Sequence, residues 1–236
     1  MLELGTLDFY LSVGQLSASD LEASSMALFD EWDGFVDQHL KIPDYSLRLQ
    51  VEDGSVKGWG MIAATLGTLY FGIGKYGDFI SGLKTITEQV SATNEFLVQQ
   101  AKQRFSCPEN DAKSKKHGGA LAEINRLFVR VRDGRLTAAQ ATELAKHALG
   151  EEANNSSDFI SEMANAFKNC PRSLTQQSFP FEDFSEESLL TESGLVGQRK
   201  PRQPSPRPVP PFSQHLLIEV WRESKRNLKQ TRVVVK

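Results

Sequence analysis

The chain has 236 residues, a formal net charge of −3, and apolar and charged fractions of 39% and 24%, which are ordinary for a folded protein. This composition excludes a chain that is disordered throughout. Its two cysteines lie far apart without a C-x-x-C motif, so neither a disulfide framework nor a zinc knuckle is expected, and the expected location is cytoplasmic.

Residues 1–105 are predicted to form an α+β module that begins with the order β-α-β. Alternating apolar residues from Leu7 to Val13 indicate a strand. The S-x-x-E pattern at Ser19 is typical of a capping box that opens a long amphipathic helix, which Pro43 would end. A second strand is expected over residues 45–51. The Asp53-Gly54 turn after it allows a short third strand.

The uncharged run over residues 58–74 is predicted to be a buried, closely packed helix, because glycine recurs in it every seven residues. Small residues aligned in this way let another helix approach closely, within the fold or in an oligomer. Insertion into a membrane is the first alternative, although seventeen helical residues span only roughly 25 Å. A strand is the second alternative. The expected packing residues are Gly60, Ala64, Gly67, Gly74 and Ser81.

A further long helix and a small helical bundle are expected after this run. Asp78 is predicted to cap a helix that continues to about Arg104, and residues 106–118 are expected to be a polar break. Three shorter helices follow in residues 119–170, the second of them opened by a capping box from Thr137 to Gln140.

The C-terminal part differs from the rest in composition and charge. Residues 171–212 are predicted to be a linker, first acidic and then basic and rich in proline. Residues 213–236 are expected to form a tethered basic element, either a helix or, as we prefer, a hairpin that turns near Arg226. The chain contains ten Lys or Arg and only two Glu from residue 199 onward. This basic tail would therefore bind nucleic acid, a lipid surface, or an acidic segment of its own chain. The expected contact residues are Arg199, Lys200, Arg202, Arg207, Trp221, Arg222, Lys225 and Arg226.

Motifs for catalysis are weak or missing. The glycines of residues 72–77 spell G-x-G-x-x-G, but no repeating βαβ pattern surrounds them, so a dinucleotide site is not expected. The four histidines are scattered and no G-x-S-x-G motif occurs. We therefore predict no catalytic residue, no metal ligands and no cofactor.

Residues 51–83 carry the sequence V-E-D-G-S-V-K-G and, later, Y-F-G-I-G-K-Y-G-D-F-I-S-G-L. This pattern resembles a group of bacterial proteins without an established activity, which share a β-α-β-turn opening and a G-I-x-x-Y-G-x-F-x-x-G signature. The resemblance covers about the first hundred residues and implies an accessory protein of a bacterial stress or mobile-element locus. The matching positions are Gly54, Ser55, Gly72, Ile73, Tyr76, Gly77, Phe79, Gly82 and Leu83.

Three functional hypotheses follow from the sequence. The first is a non-catalytic bacterial interaction protein, an accessory component of an antiphage or toxin-like system. It would assemble through the glycine-rich helix, as a homo-oligomer or with a protein encoded nearby, and recruit a partner with its tail. The second is a membrane-acting effector that inserts residues 58–74. The third is an accessory protein that binds nucleic acid through residues 199–236.

Overall fold

A computed structural model describes residues 1–14, 16–108, 111–171 and 215–235. These residues form an α+β fold, which confirms the predicted class. The strands are β1 (Leu2–Leu11), β2 (Ser46–Glu52), β3 (Val56–Ala64), β4 (Ala112–His117), β5 (Leu216–Arg222) and β6 (Gln230–Val235). The helices are α1 (Ala18–His39), α2 (Leu66–Ile73), α3 (Phe79–Arg104), α4 (Gly119–Arg132), α5 (Ala138–Leu149) and α6 (Ser157–Lys168). Two 3-10 helices, Gly74–Tyr76 and Gly150–Asn155, follow α2 and α5.

The strands form one antiparallel sheet in the order β4-β1-β3-β2-β5-β6. Strands β2 and β3 make a hairpin whose turn contains Gly54 with a φ of +103°, a conformation that favours glycine. The predicted C-terminal hairpin is present as β5 and β6. It belongs to the same sheet as the N-terminal strands, because β5 pairs with β2.

Helices α1 and α3 cover one face of the sheet. Every second residue of the central strands faces them and is buried, including Leu49 of β2 and Val220 of β5. Trp32 of α1 is fully buried above β3. The two helices also contact each other where the rings of Phe35 and Phe96 stack with centroids 4.0 Å apart. Removing these apolar side chains from water stabilises the fold.

The predicted helical bundle is present and packs against α2 and α3. An aromatic cluster joins these helices, with Phe79 of α3 lying 5.1 Å from Phe159 of α6 and 6.2 Å from Phe128 of α4, measured between ring centroids. The capping box at Thr137 is confirmed, since its hydroxyl accepts from the backbone N–H of Gln140. Asp78 caps α3 in the same way, by accepting from the backbone N–H of Ser81.

The predicted helix over residues 58–74 is wrong. Residues up to Ala64 continue strand β3, and only the eight residues of α2 are α-helical, with Thr65 as their N-cap. The turn at Gly54 returns the chain alongside β2, so the residues after it complete a ladder of backbone hydrogen bonds. In the described part of the chain no helix is both long and apolar enough to cross a membrane.

Two smaller predictions also need correction. The predicted polar break at residues 106–118 contains strand β4, which pairs with β1 although lysines dominate its sequence. Helix α1 begins earlier than expected, because the hydroxyl of Ser17, and not that of Ser19, accepts the capping hydrogen bond from the backbone N–H of Asp20.

Candidate interaction surface

The face of the sheet opposite α1 and α3 carries three rows of side chains, and we call it the open face. Directly opposed residues of antiparallel strands project to the same side, so the strand register defines each row. From β4 to β6 the rows are Lys113, Tyr10, Lys57, Glu52, Leu217 and Val234; then Lys115, Asp8, Trp59, Gln50, Glu219 and Arg232; then His117, Thr6, Met61, Arg48, Trp221 and Gln230.

Large apolar side chains lie across the middle of the open face. Tyr10 is 37% exposed, and Trp59, Met61 and Trp221 are partly exposed. Soluble proteins rarely leave several aromatic side chains uncovered on one flat surface without using it for binding. The aromatic residues belong to three different strands, so the sheet holds them at fixed spacing.

Two depressions border these side chains. A groove of about 580 Å³ lies beside Met61 and Trp221, with Arg48 and Glu3 on its walls. A shallower depression of about 360 Å³ lies at the other end of the face. Its lining includes Asp8, Tyr10, Lys57, Lys113 and Lys115.

Polar contacts within the open face hold some of its side chains in place. The Nε2 amide of Gln50 donates to Oε1 of Glu219 at 2.7 Å across β2 and β5. His117 Nε2 lies 3.2 Å from Oδ2 of Asp8 across β4 and β1. The three rows contain five Lys or Arg and three Asp or Glu. The open face is therefore slightly basic, whereas the whole chain has a net charge of −3.

The basic hairpin of β5 and β6 is docked on an acidic side of α1. Arg222 forms an ion pair with Asp33, and its Nη2 also donates to the hydroxyl of Tyr45 at 3.2 Å. Two further ion pairs follow along the turn, Lys225 with Asp37 and Lys229 with Asp30. Three anionic targets were expected for the tail. The described part of the tail binds one of them, an acidic segment of its own chain.

Burial and neighbouring carboxylates set the ionisation of this cluster. Burial raises the pKa of Asp33, and Asp37 and Asp30 raise it further, whereas Arg222 lowers it. The hydrogen bond from Lys225 lowers the pKa of Asp37. Burial beside Asp33 raises the pKa of Tyr45, so its hydroxyl stays protonated and donates to Asp37 Oδ1 at 3.3 Å. The cluster is therefore organised for holding the hairpin.

The predicted packing residues do not share one helix face. Gly60 lies in β3 under α3, where an added Cβ would come within 2.6 Å of Leu97 Cδ2. Ala64 ends β3 and is buried. Gly67 and Gly74, at the two ends of α2, have open space where a Cβ would be. Ser81 lies in the first turn of α3, next to the cap of that helix.

The predicted tail residues have different positions. Trp221 belongs to the open face, and Arg222 and Lys225 are engaged with α1. Arg226 is exposed, and its backbone N–H donates to Ser224 Oγ at 3.3 Å. The remaining predicted residues, Arg199, Lys200, Arg202 and Arg207, lie outside the described residues.

Sequence reasoning missed most of the open face because it needs the strand register. Tyr10, Trp59 and Trp221 are not neighbours in the sequence and share one surface only through the pairing of β1, β3, β2 and β5. One local signal was present but weak: every second residue from Val56 to Ile62 is buried, but the two middle ones, Gly58 and Gly60, have no apolar side chain.

Nothing in the described ranges resembles a metal centre, since no three His, Cys, Asp or Glu side chains there lie close enough together to hold an ion. No family model, no curated protein and no solved structure matches this chain. The resemblance of residues 51–83 to bacterial accessory proteins therefore stays a prediction.

Proposed function

We propose that this chain is a non-catalytic interaction protein that binds a protein partner on the open face of its sheet. One observation carries the proposal: the sheet is covered by helices on one side and presents Tyr10, Trp59, Met61 and Trp221 on the other. An antiparallel sheet with one solvated face usually alternates apolar and polar residues, and large aromatic residues on the solvated side depart from that pattern.

The residue types of the open face favour a protein over other partners. Trp, Tyr, Met and Arg are enriched at the centres of protein interfaces, and Trp59, Arg48 and Trp221 occupy the central strands. Charges of both signs surround them, which suits the polar rim of such an interface. Asp8, Glu52 and Glu219 would instead repel a phosphate backbone.

We extend the proposal to an accessory role in a bacterial antiphage or toxin-like system. The support for this extension is the resemblance of residues 51–83 alone. The binding surface differs from the one expected from the sequence, because the glycine-rich segment does not form a single helix.

The double variant Trp59→Ala with Trp221→Ala is expected to lose its protein partner while remaining folded, because both side chains are removed from the solvated side of the sheet. Truncating interface anchors of this kind typically costs about 2 kcal/mol or more each in binding, so the affinity of the double variant should fall by about a thousand-fold. Affinity purification at low and high salt, followed by binding with the purified partner, measures the effect.

Phe71→Ala is the matched control for this experiment, since Phe71 is an aromatic residue that is 64% exposed on α2, away from the sheet. The control should bind like the unchanged chain. Equal capture of the same protein by the double variant and the unchanged chain would refute the proposed surface, and so would capture of nucleic acid in place of a protein.

Single-stranded nucleic acid is a second candidate, favoured by one corner of the open face. There Tyr10 stands between Lys113 and Lys57, with Lys115 beside them. Aromatic side chains on a sheet can stack bases while lysines contact phosphates. Three of the five described basic residues of the tail favour this candidate less, since Arg222, Lys225 and Lys229 already pair with α1.

If nucleic acid binds here, the pair of changes Lys57→Ala and Lys113→Ala should weaken binding of a labelled single-stranded oligonucleotide and reduce its salt dependence by about two counterions. Fluorescence anisotropy over a salt series measures both quantities. Lys84→Ala, on the exposed side of α3, is the matched control. Oligonucleotide binding that is absent, or unchanged in the double variant, would eliminate this candidate.

A further inference from the structure

The two edges of the sheet differ in the residues that they present. Strand β4 carries Lys113, Lys115 and Lys116 within six residues, which is the kind of charged edge that prevents pairing with another chain. Strand β6 forms the other edge, and its sequence from Gln230 to Val235 is QTRVVV. Three consecutive β-branched apolar residues at an edge favour pairing with a further strand.

Apolar side chains of β6 extend beyond the helical layer. Val233 and Val235 project to the side of the sheet that α1 covers, because their opposed residues on β5 are Ile218 and Leu216. Ile218 is fully buried, whereas Val233 is 45% exposed and Val235 is 60% exposed. The cover of the sheet therefore ends at β5, and one more strand beside β6 would remove these valines from water.

We propose that two copies of this chain pair through β6, antiparallel and related by a two-fold axis perpendicular to the sheet. The two six-stranded sheets then form one continuous sheet, with both helical layers on one side and both open faces on the other. A closed two-fold contact of this kind is the commonest form of homo-oligomer.

The sequence of β6 is compatible with itself in one register. With Val233 opposite Val233 of the second copy, Arg232 stands opposite a valine and Thr231 opposite Val235, so five residues of each strand are paired without like charges in contact. A register centred on Arg232 would oppose two guanidinium groups. One centred on Val234 would pair only three of the described residues, Val233 to Val235.

This fit of the strand to its own copy is the reason for choosing a second copy over a foreign strand. The two-fold axis keeps side chains of the same face opposite each other only when the two paired positions differ by an even number, and the Val233 register meets that condition. The dimer contact uses the backbone edge of β6, whereas the proposed partner anchors Trp59 and Trp221 lie on the interior strands β3 and β5.

Sedimentation velocity over a wide range of protein concentration tests the proposal. The unchanged chain is expected to dimerise, and Val233→Lys should lower the association constant by at least about ten-fold, since it places two ammonium groups opposite each other and removes a valine contact. Leu228→Lys is the matched control. Leu228 lies in the turn before β6, is 90% exposed, and takes no part in the pairing.

A second variant tests the register of the two β6 strands directly. Val233→Cys is expected to give a disulfide-linked dimer on mild oxidation, because the two thiols face each other across the axis, whereas Leu228→Cys should not. Circular dichroism of each variant shows that it is folded. A chain that stays monomeric at every concentration, or a Val233→Lys variant that dimerises as strongly as the Leu228→Lys control, overturns the proposal.

Discussion

Gly82→Ala is expected to lower the free energy of unfolding by about 3 kcal/mol, although alanine normally stabilises a helix relative to glycine by about 1 kcal/mol. The reason is a close approach of two helices. A Cβ at position 82 would lie 2.4 Å from the carbonyl oxygen of Ile73 and 2.9 Å from its Cα. Because these atoms belong to the backbone at the end of α2, only a shift of the whole helix could make room. Urea denaturation measures the change.

Gly67→Ala is the control for that experiment and should have the opposite sign. Gly67 lies in the first turn of α2 with nothing within 4 Å of a Cβ, so alanine is expected to stabilise the fold by about 0.5 kcal/mol through the unfolded chain. Equal effects of the two substitutions would show that the contact between α2 and α3 is not as close as described.

Arg222→Met is expected to destabilise the fold by about 2 kcal/mol near neutral pH, because it leaves the carboxylate of Asp33 partly buried without its cation. The side chains of Arg222 and Asp33 are 13% and 20% exposed, so solvent screens this ion pair less than a surface pair. Methionine keeps most of the aliphatic length of the arginine side chain and removes the guanidinium group, whose Cζ lies 5.5 Å from the centroid of the Tyr45 ring. Urea denaturation of the variant and of the unchanged chain measures the difference in the free energy of unfolding.

The effect of Arg222→Met should depend on pH in a defined direction. The folded-state pKa of Asp33 is already raised above 3.8, and removing the guanidinium raises it further. For a carboxyl group with a raised folded-state pKa, the ionised form opposes folding above that pKa and the penalty disappears as the pH falls below it. The deficit of the variant should therefore shrink as the pH is lowered towards 3.8.

Lys229→Met is the matched control for this series, since the pair of Lys229 with Asp30 is more exposed, at 34% and 56%. Surface pairs contribute about 0 to 1 kcal/mol, so this variant should lose little stability. A deficit of Arg222→Met that is constant with pH would contradict the role assigned to Asp33.

Local signals predicted α3 and α5 well. The bounds of α3 follow from the Asp78 cap and from an apolar stripe that ends near Arg104, and α5 follows from the capping box at Thr137. These signals involve residues within a few positions of each other, so no knowledge of the rest of the fold is needed. The last strand of the C-terminal hairpin was likewise predicted from a local signal, the β-branched residues Val233 to Val235.

The glycines of residues 58–74 misled the sequence interpretation because their function depends on distant residues. Gly58 faces the ring of Phe9, and Gly60 faces Leu97, so these two inward positions of β3 are filled by side chains from other elements. Without apolar residues of its own at these positions, β3 lacks the usual alternation. Glycines spaced seven residues apart then indicate a helix. Gly67 and Gly74, however, have no neighbouring atom within 4 Å of where a Cβ would be.

Strand β4 and the open face could not be predicted from the sequence for a similar reason. An edge strand made of lysines has no apolar period, and only its pairing with β1 defines it. The neighbours of Trp59 on the open face come from β1 and β2, and Trp221 reaches the same surface from the far end of the sequence. Which residues of a sheet are adjacent depends on topology and register.

The pairing of β2 with β5 also has a consequence for how the chain is synthesised. Gln50 and Glu219, which meet across these strands, are 169 positions apart, so the ribosome makes β2 long before its neighbour exists. During that interval the nascent chain carries a bare β2 edge, a template for pairing with other chains. Contacts this distant also slow folding, because a long loop must close first. The sheet can therefore be completed only after translation has reached the last strands, and the unfinished protein is the form most in need of a chaperone.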